Sequence, residues 1–302
     1  MAAPGEPALA LVYLARGIDG GAVAADAFLD SYRRYPAGRD HALVVIAKGW
    51  DALTGLDALR RQIEPLRGKL IELPDDGFDW GAYFRIAPML EQASLCFVNS
   101  HSRVLVDGWL DALASAAAVA GIGAVGATGS WGTFARRPDE LAAELMRRAG
   151  DAASGGDAGA RADRGTAARL VSAAQSVLLD PFAFPYFPNP HLRSNAFLTR
   201  RELFLQFARS SPPIRGKRDT HRLESGRRGF SRFLRARGLD IAVVGADRRA
   251  YGEREWLASR TFRMPDRGNL LVADRQSDAY DAAPPPVRRI AERIAWGRSL
   301  TP

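Results

Sequence analysis

The sequence predicts an α/β protein whose mainly parallel central sheet is flanked by helices in three layers. Three observations predict it. Apolar runs of strand length recur through the first half, and each is followed by a stretch with helical spacing. The runs end in polar, glycine-bearing loops, the rim at which open parallel sheets bind ligands. The chain has 302 residues, 47% of them apolar and 25% charged, so one large core can form without disulfide or metal staples.

Residues 9–15 (LALVYLA) read as the first strand, closed by a loop at Arg16, Gly17 and Asp19. Residues 22–35 then carry Val23, Phe28, Leu29 and Tyr32 at helical spacing. Residues 41–48 (HALVVIAK) read as a second buried strand, 53–66 as a helix and 69–73 as a third strand. Pro74-Asp75-Asp76-Gly77 breaks the pattern, and residues 78–91 resume as a helix. Residues 95–98 (LCFV) form a fourth strand that runs into Asn99-Ser100-His101-Ser102. Residues 109–119 read as a helix, 123–126 as a short strand, and 127–131 as a loop ending in Trp131.

Further on, residues 138–147 and 167–179 read as helices around a low-complexity Ala/Gly/Asp/Arg insertion at 150–166, which has almost nothing to bury. A Pro/aromatic loop at 180–190 leads to His191-Leu192-Arg193-Ser194-Asn195, a strand at 196–198 and a helix at 200–208 that Pro212-Pro213 stops. Residues 223–238 place Glu224 at the entrance of a helix; 241–245 read as a strand and 287–296 as a closing helix. The whole is expected to be one domain spanning 1–302, with a C-terminal extension at 265–302.

Composition excludes several classes. The lone Cys96 rules out a disulfide within the chain and a cysteine zinc site, and fits a reducing cytoplasm. The most apolar stretch, 112–127, is Ala- and Gly-rich and too short to span a membrane, and no secretory signal pattern opens the chain. The net charge of +8 comes from arginine, since Lys48, Lys69 and Lys217 are the only lysines. Arginine suits phosphate, carboxylate or anionic lipid.

Candidate chemistry clusters in the loops. Asn99, Ser100, His101 and Ser102 offer an amide, an imidazole and hydroxyls to a sugar, a phosphate or a metal; the alternative is a self-bonded turn. Asp79 suits a ribose or sugar hydroxyl, or a helix cap. Asp75 and Asp76 read as solvated turn residues. Trp131 suits stacking on a sugar or base, or covering the core. His191, Arg193 and Asn195 sit in a rigid polar loop suited to an acceptor or a phosphate. Glu224 suits a general base, with Arg227 binding phosphate or pairing with it; the alternative is a dipole-favoured Glu in a surface ion pair.

The order of these loops resembles the GT-A glycosyltransferases, the Rossmann-like nucleotide-diphospho-sugar transferase fold. Phe78-Asp79-Trp80-Gly81-Ala82-Tyr83, Phe97-Val98-Asn99-Ser100 and Gly126-Ala127-Thr128 are similar to segments of rhamnan-synthesis-protein-F-like and family 2 bacterial polysaccharide glycosyltransferases. The resemblance covers residues 10–260 apart from the insertion. It implies a hexosyltransferase of bacterial polysaccharide biosynthesis, moving a sugar from a nucleotide-diphosphate donor to a saccharide or lipid-linked acceptor. Arg16, Asp19, Asp79, Asn99, Ser100, His101 and Trp131 would face the donor, and Glu224 would activate the acceptor. The usual Asp-x-Asp metal motif is replaced by Asn99-Ser100-His101, which weakens the case for Mn2+ or Mg2+. His101 is then the candidate manganese ligand, or arginines neutralise the diphosphate. No organic cofactor and no nucleic acid are expected. Localisation would be cytoplasmic, at the inner face of the membrane if the arginine-rich surface meets anionic lipid. The competing readings are a non-catalytic transferase-like scaffold and an arginine-rich nucleic-acid binder, although no RRM, KH or helix-turn-helix signature is present.

Overall fold

Alternation decides where β1 (Leu9–Arg16) sends its side chains. Leu9, Leu11, Tyr13 and Ala15 enter one apolar cluster, while Ala10, Val12 and Leu14 enter another. Both faces of the strand are therefore covered, as a central strand of a parallel sheet requires. The computed structural model describes residues 7–18, 20–50, 55–137, 139 and 179–301. Asp19, the insertion at 150–166 and the helices expected at 138–147 and 167–179 lie outside the described residues, apart from Asp139 and Leu179.

The further strands are β2 (Ala42–Lys48), β3 (Lys69–Glu72), β4 (Ser94–Val98), β5 (Arg103–Val104), β6 (Ile122–Gly126), β7 (Gly129–Ser130), β8 (His191–Leu192), β9 (Ala196–Arg200), β10 (Asp240–Val244), β11 (Ala250–Gly252) and β12 (Val272–Ala273). Seven of them join β1 in one eight-stranded sheet in the order β11-β10-β6-β9-β4-β1-β2-β3. Within it β3, β2, β1 and β4 run parallel, as do β6 and β10. The exceptions are β9, antiparallel to both β4 and β6, and β11, antiparallel to β10. The mainly parallel α/β sheet expected from the sequence is thus present, with an antiparallel strand at its centre that periodicity did not announce.

The first core cluster lies under α1 (Gly21–Arg34), α2 (Gly55–Ile63) and α4 (Trp109–Ala117), with Phe28, Leu59, Trp109 and Leu113 facing the sheet. The second lies under α3 (Phe78–Ile86) and the helices Arg201–Ser210 and Phe230–Arg235. There Trp80 sits within 5.7–6.2 Å, centroid to centroid, of Phe84, Phe197, Phe204, Phe207 and Phe230. Trp80 follows Asp79 directly, so this ring cluster fixes the first turn of α3. Emptying it by Trp80→Ala would cost about 3–5 kcal/mol.

The helix expected around Phe230 and Leu234 is present, and a further helix precedes it. Residues 223–238 form the end of the helix Lys217–Ser225, a turn, and the helix Phe230–Arg235. Asp219 accepts from the amides of Arg215 and Gly216, which starts the first helix upstream of the expected one. The crowded Gly226 and Gly229, each with neighbouring backbone within 3.0 Å of any added Cβ, form the turn. Glu224 therefore stands in the last turn of a helix and not at the entrance of one. Cys96 is buried on β4, where burial pushes its thiol up and leaves it unreactive.

Candidate functional site

Because β9 runs against its neighbours, its first residues stand at the same rim as the carboxyl ends of β1, β4 and β6. The loop that enters β9 thus meets the loop that enters α3. Ser194 Oγ donates to Asp79 Oδ2 at 3.0 Å, and the Ser194 amide donates to Glu224 Oε2, also at 3.0 Å. Asn99 Nδ2 reaches the same Asp79 oxygen at 3.4 Å, and the Trp80 amide donates to Asp79 Oδ1 at 2.9 Å. Asp79, Asn99, Ser194 and Glu224 therefore form one network, assembled from α3, the end of β4, the loop before β9 and the helix Lys217–Ser225. Burial raises the Asp79 carboxyl above the ordinary range, and the charge of Glu224 raises it further; the Ser194 and Trp80 donors pull it back down.

His191 extends the network. Its Nδ1 lies 2.8 Å from the Asn189 carbonyl and so carries the proton, which leaves Nε2 as an acceptor 3.9 Å from Glu224 Oε1. Burial holds the imidazole below its usual value, against the pull of Glu224. Glu224 is about one-fifth exposed and so can meet a solute.

The segment before Asp79 is braced. Gly77 has φ 65° and Phe78 φ 54°, two successive left-handed residues. A Cβ on Gly77 would lie 3.0 Å from Gly81 Cα, so glycine is required there. Buried Lys48, at the end of β2, donates Nζ to the carbonyls of Asp76 at 2.6 Å and Phe78 at 2.8 Å. Arg16 Nε and Nη2 hold Asp75 at 3.0 Å each, and Arg85 holds Asp76. Asp75 and Asp76 are exposed turn residues, as read from sequence, and through these ion pairs they also anchor the loop. Lys48 went unnoticed in the sequence; a lysine ending a buried apolar strand was the available signal. A cleft of about 90 Å3 beside it is lined by Gly49, Trp50, Leu56 and Leu73.

Other expected site residues point elsewhere. Ser100 is buried, its carbonyl accepting from Tyr13 Oη at 2.9 Å. His101 lines a separate cleft of about 240 Å3 with Gly20, Val23, Arg103, Arg275 and Asp278, and none of the Asp79–Glu224 network lines it. Trp131 donates Nε1 to the Glu253 carbonyl at 3.1 Å and packs edge-on against Trp296, so it covers the C-terminal region. Arg193 is buried, donating Nη2 to Asp274 at 2.6 Å with its guanidinium 4.1 Å above the Phe262 ring. Asn195 Oδ1 accepts from Thr128 at 2.6 Å. Arg227 donates Nε to the Pro181 carbonyl at 2.7 Å and bears on the short helix Asp180–Ala183. These last four are structural tethers around the site.

The donor set is a poor match for a divalent ion held by the protein. Asn99 Oδ1 is occupied by the Ser100 amide at 2.5 Å. Among the described residues no three His, Cys, Asp or Glu side chains gather as metal ligands.

No protein-family profile matches the sequence. No curated protein matches it. Several solved structures align with this chain at low identity. A mannosyltransferase from Pyrobaculum calidifontis, solved with GDP-Man and Mn2+, aligns with 95% of this chain and 68% of its own at 14% identity and a TM-score of 0.45. The glucosyl-3-phosphoglycerate synthase of Mycobacterium tuberculosis, in complex with Mn2+, UDP and phosphoglyceric acid, aligns with 66% of this chain and 57% of its own at 14% identity and a TM-score of 0.34. S. aureus TarS aligns with 35% of this chain and 19% of its own at 16% identity and a TM-score of 0.29. The chain thus spans about two thirds of the first and little more than half of the second. These likenesses are loose, and the chemistry of the site rests on this chain's own residues.

Proposed function

We propose that this chain is a glycosyltransferase that moves a sugar from a nucleotide-diphosphate donor to a hydroxyl acceptor. The observation that carries the reading is the pair of carboxylates, Asp79 and Glu224, bridged by Ser194 at the carboxyl rim of a mainly parallel sheet. Open sheets of this kind bind ligands at that rim. The segment similarity around Asp79, Asn99 and Gly126 supports the same assignment.

In this reading Asp79, locked by Trp80 and the braced loop, accepts hydrogen bonds from donor hydroxyls. The cleft beside Trp50 takes the base. Glu224 removes the acceptor hydroxyl proton as the sugar C1 is attacked, and neutral His191 behind it leaves the carboxylate free to do so. Arginine at the β1 end of the rim offsets the charge of the departing diphosphate. No step is routed through a metal ion, because the donor set does not fit one. Bacterial polysaccharide as the product, a hexosyl unit as the transferred group and a cytoplasmic location belong to this proposal.

The test is a thermal-shift series with UDP, GDP and dTDP and their sugars, with and without Mn2+. Stabilisation by one nucleotide series is expected, since a ligand bound at 100 times its Kd adds about 2.7 kcal/mol. No stabilisation by any of them overturns the reading. The absent Asp-x-Asp carboxylates favour a second reading, a transferase-like scaffold; donor binding with no sugar transfer would select it.

A further inference from the structure

The last helix, Pro285–Trp296, has two apolar sides, and among the described residues one of them is packed. Ala295 and Trp296 face the core, and Trp296 Nε1 donates to the Phe262 carbonyl at 3.0 Å. On the other side Val287, Ile290 and Ile294 are 49%, 56% and 52% exposed. Their i, i+3, i+7 spacing sets them in one stripe along the helix. Arg293 on the same helix is exposed, as is Arg298 just beyond its end. The helix has a single carboxylate, Glu292, and it is buried, accepting from the amides of Leu300 at 2.6 Å and Thr301 at 2.8 Å. The helix therefore exposes apolar and cationic groups and no carboxylate of its own.

We propose that this helix is the surface by which the protein docks on an anionic lipid bilayer. An in-plane helix buries its aliphatic stripe in the acyl boundary while its basic residues meet the headgroups. Charge complementarity chooses the occupant. A second copy would bring arginine against arginine, and three side chains are far short of the ~800 Å2 per partner that a stable interface buries. No helix among the described residues is long and apolar enough to cross a membrane, so contact through this helix would be peripheral.

The same helix reaches toward Glu224. The Trp131 amide donates to the Ala295 carbonyl at 2.9 Å, the neighbouring Ser130 pairs with His191 across β7 and β8, and His191 faces Glu224. The buried side of the helix is thus linked through β7 and β8 to the acceptor side of the rim. On the transferase reading, the acceptor is a bilayer-borne, lipid-linked hydroxyl; the docking itself does not depend on that reading.

Flotation of the full chain with vesicles tests the docking. Vesicles of phosphatidylcholine with roughly 30% phosphatidylglycerol should bind it at least about tenfold better than phosphatidylcholine alone. Binding should weaken as salt rises. The double variant I290D/I294D, changed only at exposed positions, should keep its melting temperature and its nucleotide response while losing about tenfold or more in vesicle binding. Equal recovery with both vesicle types, or none with either, overturns the proposal. A wild type that sediments as a dimer and ignores vesicles, with I290D/I294D monomeric, identifies a self-association face and also overturns it. Vesicle binding without any nucleotide response would leave the docking standing and remove the transferase reading alone.

Discussion

Ser194 and Asp79 lie 115 residues apart in sequence and meet through one hydroxyl, 3.0 Å from serine oxygen to carboxylate oxygen. The same serine spends its amide on Glu224. One small residue thereby sets the spacing of two acids that would otherwise repel.

Ser194→Ala removes the hydroxyl and keeps the amide, so the variant should fold. Asp79 then loses a donor in a partly buried place, at an expected cost of about 1–3 kcal/mol. A lowered urea midpoint with an unchanged slope is the expected result.

Glu224→Gln should remove the proton acceptor while preserving shape. Turnover with the donor found by thermal shift should fall by about 10²–10⁴-fold, and donor affinity should stay within about twofold. Wild-type turnover in this variant would discard the role of Glu224.

The Asp79 carboxyl has its folded-state value raised above the free value of about 3.9. Its contribution is therefore fully present below the free value and is lost as pH rises through the folded value, where a charge must be held in a buried site beside Glu224. Denaturation of wild type and Asp79→Asn across acid to neutral pH should show the wild type losing stability relative to the variant as pH rises. A constant difference would contradict the burial of this charge.

Arg193→Met leaves Asp274 buried without its cation and should cost about 3–5 kcal/mol. Adding Asp274→Asn should restore more than half of the loss, giving a coupling energy of at least about 1 kcal/mol in the double-mutant cycle. Because Arg193 is bound to Asp274 and stacked on Phe262, nucleotide binding by the folded fraction should be unaffected.

The periodic runs made β1, β2, β4 and β6 legible, because buried strands need apolar residues on both faces. Strand direction leaves no such trace, so β9 was visible as an apolar run while its antiparallel place between β4 and β6 was not. Asn99 stood out as a polar group closing an apolar strand and Asp79 as an acid opening a helix, both local signals. The bridging role of Ser194 depends on that antiparallel turn and was not local. Glu224 was noticed but set in the wrong helical context, since Gly226 and Gly229 end one helix before the next begins. Arg193 and Trp131 read as ligand groups because composition cannot show that a cation faces Asp274 or an indole faces Trp296.

The place of β9 bears on biosynthesis. During synthesis, the strands that precede it emerge from the ribosome first, yet β4 and β6 have no direct ladder between them. Until residues 196–200 are extruded, both strands carry an open edge, which is a template for stray pairing between nascent chains. Nascent chains arrested just before that point should need more chaperone protection than chains arrested just after it, in which, of these two strands, only the β10-facing edge of β6 is still open.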